Sequence, residues 1–145
     1  MKVLIQRVKR ASVTISGQLY SKIGHGLLVF VGIEKGDREE TVLKLAEKTL
    51  NLRIFEDENG KMNKSVKDVC GEILSVSQFT LAGNCKKGTR PSFDNAEVPD
   101  LAKKMYELYN RKLSEQISVK TGVFAAMMDV ELINDGPVTF MLDLI

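Results

Sequence analysis

Hydrolysis by a serine, histidine and aspartate triad needs an imidazole, and His25 is the one histidine in the 145-residue chain. It lies between Gly24 and Gly26 in a segment whose composition predicts a turn, where an exposed, solvated ring is the ordinary outcome. No Gly-x-Ser-x-Gly elbow is present. Bond cleavage here must therefore do without histidine as general base. His25, Cys70 and Cys85 together fall short of the usual zinc ligand set and sit far apart, so neither a metal nor a cofactor is expected, and the two thiols are expected to stay reduced. A second candidate is Ser77-Gln78-Phe79-Thr80-Leu81. In regular strand geometry Gln78 and Thr80 share one face, while Ser77 and Phe79 take the other, so the hydroxyls of Ser77 and Thr80 converge only across a bulge. Pattern alone reads this run as a mixed-polarity sheet strand. A third is the loop 83–93, whose Lys86, Lys87 and Arg90 with two glycines suit either phosphate contacts or plain solvation. Gly136-Pro137 reads as a hairpin turn with a trans bond, the commoner X-Pro isomer. Arg7, in mid-strand, reads as a side chain that reaches out to solvent or pairs locally, and pattern alone does not single it out.

These groups need elements to hold them. Residues 2–8 form an apolar-rich strand, and Ala11, Val13 and Ile15 alternate with polar neighbours at strand period. Ser16-Gly17-Gln18 turns into a strand at 19–23, and the unbroken apolar run that starts at Leu27 predicts a strand, 27–33, covered on both faces. Asp37 and Glu40 have capping-box spacing ahead of a helix whose Val42, Leu45, Ala46 and Thr49 share a face. Strands are predicted at 52–55 and 72–81, with a turn at Asp57-Glu58-Asn59-Gly60 between them. Pro99 opens a second helix with Leu101, Met105, Leu108 and Lys112 along one side. A hairpin about Asn134-Asp135-Gly136-Pro137 closes the chain. Many strands and two main helices without regular βαβ alternation predict an α+β fold with a mostly antiparallel sheet rolled toward a barrel, in one domain over 1–145.

Composition agrees with a folded domain: 43% of residues are hydrophobic and 28% charged. No run approaches the ~20 apolar residues of a membrane span, and no secretory leader is evident, so a soluble cytoplasmic protein is expected. The net charge of +2 means that any anionic partner must be met by a local cluster of cations.

Taken in order, Gln6-Arg7-Val8, Asn51-Leu52-Arg53-Ile54-Phe55, Lys61-Met62-Asn63, Ser77-Gln78-Phe79-Thr80-Leu81, Arg90-Pro91-Ser92-Phe93 and Asn134-Asp135-Gly136-Pro137-Val138-Thr139 resemble the D-aminoacyl-tRNA deacylases across essentially the whole chain. The resemblance implies a homodimer that hydrolyses the ester joining a D-amino acid, or glycine misattached to alanine tRNA, to the 3′-terminal ribose. It implies a cis Gly136-Pro137 bond that enters the partner's site and rejects L side chains by obstruction. It further implies catalysis at Ser77, Gln78, Phe79 and Thr80, a bracing role for Arg7, a pocket position for Ala96, and tRNA contacts from Lys86, Lys87 and Arg90. Thr80 has been a nucleophile candidate in this family. With no histidine to activate it, backbone N–H groups near Phe79 and Thr80, helped by the ribose 2′-hydroxyl, are the preferred catalysts. Ala125 departs from the glycine expected there. Two other readings stay open: a non-catalytic nucleic-acid-binding module that uses residues 86–90, and a paralogous editing deacylase with a trans proline that acts on an L-amino acid. By resemblance, Phe79 favours the D-specific enzyme over the paralogue.

Overall fold

In the computed structural model, which describes residues 1–144, the two alternating runs at the start of the chain merge into one 14-residue strand, β1 (Lys2–Ile15). On one edge it pairs antiparallel with the last strand, β8 (Asp129–Asp143), from Lys2↔Asp143 to Thr14↔Asp129. The other edge is shared. Residues 2–8 pair with β3 (Gly26–Gly32), and residues 11–15 pair with β2 (Gln18–Ile23), both antiparallel. Beyond β3 the sheet turns parallel, through β6 (Glu72–Ser77) to β7 (Ser118–Thr121). The Ser21 hydroxyl donates to the Thr121 carbonyl at 2.8 Å, which draws β2 toward β7 and nearly closes the sheet into a barrel.

The α+β class with two helices holds, but the sheet is mixed and βαβ units are present after all. Helix α1 (Glu39–Asn51) lies on the crossover from β3 to β6, and α2 (Pro99–Ser114) on the crossover from β6 to β7. A small hairpin, β4 (Phe55–Glu56) with β5 (Met62–Lys64), interrupts the first crossover and hides its rhythm in the sequence. Of the strand predicted at 52–55, only Phe55 joins a ladder.

The sheet has an apolar cluster on each face. Val29, Val31 and Ile73 meet α1 and α2 through Leu45, Leu50 and Tyr109, while Leu28, Leu74 and Val76 pack with Val8 and Val13 on the other face. Both sides of β3 are thus covered, which explains its unbroken apolar run. Each fully buried aliphatic side chain contributes roughly 1.5–3 kcal/mol. Between the helices the Thr49 hydroxyl donates to the Leu45 carbonyl, and the Tyr109 hydroxyl bonds Thr49 at 2.8 Å; burial pushes the Tyr109 phenol well above its usual range.

Three local expectations fail, each for a physical reason. Asp37 does not cap α1. Its carboxylate instead accepts the Met1 ammonium at 2.7 Å and the Glu34 N–H at 2.7 Å, and Arg38 occupies the cap without a side-chain bond. The buried face of α2 runs through Ala102, Met105, Tyr106, Tyr109 and Leu113, leaving Leu101 exposed, because two tyrosines serve as core residues. The terminal hairpin is absent. β1 advances two residues from Gln6 to Val8 while β8 moves five, from Thr139 to Asn134, so Asp135, Gly136 and Pro137 are extruded as a bulge within a single strand.

Ala125 turns the chain ahead of β8 with φ of 65°, in the left-handed region where a Cβ costs about 1–2 kcal/mol. Ala125→Gly should raise the free energy of unfolding by roughly 0.5–1 kcal/mol once the looser unfolded chain is counted. Urea unfolding checks this, and a less stable variant would contradict it.

Candidate active site

Strand β6 ends at Ser77, where its last ladder partner on β3 is Val31. The Gln78 N–H still reaches the Val31 carbonyl at 2.8 Å, and the chain then coils into a single 3-10 turn, Phe79–Ala82. The strand predicted through Leu81 is therefore four residues too long. Gly32 makes room for it: a Cβ there would lie 2.9 Å from Leu81 Cβ and 3.0 Å from the Gln78 carbonyl oxygen, so glycine lets the turn settle on the end of β3. Gln78 and Thr80 do meet, through a hydrogen bond from the Gln78 amide to the Thr80 hydroxyl, although the turn rather than strand alternation brings them together. Among the described residues the Phe79 and Thr80 N–H groups, at the open start of the turn, find no acceptor in the fold. Phe79 is 57% exposed, and its ring meets Phe93 edge-on at 5.1 Å.

The Phe93 carbonyl accepts the Ala96 N–H at 3.0 Å, so half-buried Ala96 lies just beyond the aromatic pair. The loop with Lys86, Lys87 and Arg90 is pinched at its base by paired bonds between Asn84 and Ser92, which leaves all three cations in solvent. Cys70 and Cys85 are free and exposed.

The second constellation surrounds the β8 bulge. Arg7 does not reach solvent. It is 7% exposed, with Nε donating to the Asp135 carbonyl at 3.0 Å and Nη1 donating to the Ile54 carbonyl at 2.8 Å. Its guanidinium carbon stands 6.0 Å from the Phe55 ring centre. The hairpin that presents Ile54 and Phe55 is tied by Arg53 to Asn63, and by Asp57, whose carboxylate is held below its usual range by the Asn63 amide and the Lys61 and Asn59 N–H groups. Asn134 Oδ1 accepts the Val138 N–H at 2.7 Å, bridging the mouth of the bulge. Gly136 has φ of 150°, and a Cβ there would fall 2.6 Å from Val138 Cγ2 and 2.9 Å from Val138 N. The Gly136-Pro137 bond is cis. His25 stands beside this corner, 3.8 Å from Asp135, and not beside Thr80. Asn134, Ile54 and Phe93 fall within the motifs quoted for the resemblance but were given no role there, and Gly32 was not singled out from sequence.

Register separates the two constellations. Arg7 pairs with Leu27 near the start of β3, whereas the turn begins opposite Val31. That is roughly 13 Å along the strand, with three interstrand steps, about 14 Å, from β8 through β1 and β3 to β6. Along the sheet of one protomer the two constellations therefore stand well apart.

A family model described as D-Tyr-tRNA(Tyr) deacylase matches residues 4–143. The chain is similar to a D-aminoacyl-tRNA deacylase of Persephonella marina, at 58% identity over 99% of this chain and 97% of the relative. It is also similar to one of Halalkalibacterium halodurans, at 56% identity over 99% of each. A solved structure described as c-Myc DNA Unwinding Element Binding Protein superposes with a TM-score of 0.95 at 43% identity, covering 99% of both chains. Another, of a probable eukaryotic D-amino acid tRNA deacylase, has a TM-score of 0.84 at 17% identity over 99% of this chain and 98% of the other, a likeness of fold alone. The chain belongs to the D-aminoacyl-tRNA deacylase family. Its activity is that class of hydrolysis, deacylation of D-aminoacyl-tRNA. Among the described residues no helix is long and apolar enough to cross a membrane.

Arg7→Ala removes a buried guanidinium and strands two carbonyls. A loss of about 2–4 kcal/mol in unfolding free energy is expected from the lost packing and the unsatisfied acceptors. Denaturant unfolding measures it, and a loss below about 0.5 kcal/mol, the range of an ordinary surface change, would contradict the bracing geometry.

Proposed function

We propose that the protein works as a cytoplasmic homodimer whose site combines the 77–82 turn of one protomer with the Gly136-Pro137 corner of the other. The observation that carries this reading is the separation of the two motifs along β3, because both are needed within a few ångströms of one α-carbon. Strand β8 supports it: among the described residues it pairs with β1 alone, and along this edge it leaves Ile133, Phe140 and Met141 exposed, apolar groups on both faces that suit a second copy.

The substrate's ester carbonyl is held by the Phe79 and Thr80 N–H groups, and each donor aimed at the developing oxyanion contributes about 3 kcal/mol. Water, oriented with help from the ribose 2′-hydroxyl, adds to the carbonyl carbon. The tetrahedral intermediate then expels the ribose 3′-oxygen, which takes up a proton, leaving a free amino acid and tRNA. Ser77 ends the strand that aims the turn, and the Gln78 amide donates to the Thr80 hydroxyl oxygen; an amide N–H is no base, so this contact does not activate Thr80 as a nucleophile.

Mirror-image substrates carry identical groups, so selection depends on the direction of the side chain. The corner of the partner subunit, held through Arg7, blocks the L direction and leaves the D direction open, while Ala96 lines the remaining space. Glycine has no side chain to obstruct and passes, which extends the activity to glycine on alanine tRNA. Lys86, Lys87 and Arg90 meet RNA phosphates.

The c-Myc DNA unwinding element, after which the 43%-identical protein is named, favours a second reading, nucleic-acid binding without catalysis. Turnover assays with D-tyrosyl-, L-tyrosyl- and glycyl-tRNA decide between them. Cleavage of the D and glycyl esters alone is expected; no turnover leaves the binder, and turnover of the L ester leaves the paralogous editor.

The chemical step has its own test. Thr80→Ala should keep kcat within about tenfold, since the hydroxyl takes no part in bond making; a loss near a thousandfold would restore it as nucleophile. Phe79 is the first residue of the turn, the position at which a helical segment tolerates proline. Phe79→Pro deletes one N–H donor and should lower kcat about 100- to 1,000-fold below Phe79→Ala, which loses only the ring. Equal rates for the two variants would refute the backbone donors.

A further inference from the structure

Lys35 and Arg38 stand on the loop between β3 and α1, and the function above makes no use of them. Both are exposed, and among the described residues neither enters an ion pair, whereas Lys44, Lys64 and Lys112 are each held by a glutamate. The acids of the same loop face inward. Glu34 Oε1 accepts the Met1 ammonium at 3.0 Å, while Asp37 accepts that ammonium and the Glu34 N–H. Nearby, Glu40 is taken by Lys44 at 2.8 Å, and Glu97 Oε1 accepts the Val98 N–H at 2.9 Å. Glu39, with Asp94 and Asp100 on the adjoining segment, is an exposed acid without such a partner, among the described residues. The alternation of charge in Glu34-Lys35-Gly36-Asp37-Arg38 is thereby sorted in space, carboxylates in and cations out.

Hydrogen bonds place this loop beside the site. The Lys35 N–H donates to the Asn95 carbonyl at 2.9 Å, the Glu97 N–H donates to the Ile33 carbonyl at 3.1 Å, and Glu34 bridges Ala96. The 92–97 segment they grip is the one that carries Phe93 onto Phe79. Its first residue, Ser92, closes the loop of Lys86, Lys87 and Arg90. Gly32, which abuts Leu81 of the turn, is only three residues before Lys35, a reach of about 10 Å. Two cationic loops therefore flank one site, joined by a single segment. A lone 3′ strand leaves a site in one direction and would occupy one of them. A duplex offers two phosphate backbones and can occupy both.

We propose that Lys35 and Arg38 are a second phosphate anchor, which grips the double-stranded stem of the RNA substrate while the 86–90 loop holds its other flank. This rests on the reading of the site as one that acts on aminoacyl-tRNA. The probe is uncharged tRNA, with binding to the full chain followed by fluorescence anisotropy between 50 and 200 mM salt. Each phosphate contact adds about 0.7–0.9 to the slope of log affinity on log salt, so K35Q/R38Q should lower the slope by about 1.4–1.8. Lysine-arginine exchange, K35R/R38K, should keep the parental slope, since charge rather than shape makes the contact. A parental slope in K35Q/R38Q overturns the proposal, as does an equal loss on a single-stranded 3′ tail and on a stem-bearing minihelix. Catalysis is scored apart: if the parent protein fails to cleave D-tyrosyl-tRNA, the proposed function falls, while a reduced slope in the variant would still support the anchor.

Discussion

Three surplus residues in β8 lie between stretches of strand that are held in register on either side of them. Pairing with β1 is fixed from Asp143 to Thr139 and again from Asn134 to Asp129, so Asp135, Gly136 and Pro137 must leave the sheet. A φ of 150° at Gly136, open to glycine and strained for a residue with a Cβ, and the Asn134 bond to Val138 shape the exit. Arg7 then removes its freedom, with one guanidinium bonded to the carbonyl before Gly136 and to Ile54 on a separate hairpin. A buried guanidinium with two carbonyl partners is costly to displace, and the corner inherits that rigidity. Selection by obstruction depends on such stiffness, because a wall that yields by an ångström no longer distinguishes hands.

The same register that extrudes the corner sets it apart from the turn along the sheet. The parallel ladder puts the 77–82 turn at the far end of β3 from the partner of Arg7. In the proposed dimer the exposed apolar residues of β8 give two copies a reason to meet, and chemistry and selection are divided between chains. On that proposal the turn offers backbone donors that any aminoacyl ester could use, and discrimination comes from the corner. The shared core beneath, two clusters on the two faces of one sheet, fixes both halves without touching substrate.

Much of this was legible in the residues. Alternation in β1 and the unbroken run in β3 reported half-covered and doubly covered strands, and Pro99 marked the start of α2. Other features depended on partners remote in sequence. Arg7 looked like an arginine that reaches solvent or pairs nearby, because its acceptors lie 128 and 47 residues away. Asn134 to Pro137 has the composition of a hairpin turn, and only the pairing of both flanks with the same strand reveals a bulge. Asp37 had the spacing of a cap, but a charged ammonium outcompetes a backbone amide for its carboxylate. The site motifs were visible as residue types, yet pattern alone read Ser77 to Leu81 as strand, since the room at Gly32 that the turn needs comes from a different part of the chain.

Complementation between two crippled chains addresses the division of the site most directly. Gly136→Ala distorts the corner, since its Cβ would strike Val138, and Phe79→Pro removes a donor from the turn. The Phe79→Pro homodimer should be slow on D-tyrosyl-tRNA, and the Gly136→Ala homodimer should cleave L-tyrosyl-tRNA as well as the D ester. Co-expressed with different tags and purified as a heterodimer, the pair holds one site with an intact turn facing an intact corner and one site with neither, so about half the parental rate on the D ester should return while the L ester is spared. A heterodimer that cleaves the L ester at about half the rate of the Gly136→Ala homodimer would place turn and corner in the same protomer and contradict the account.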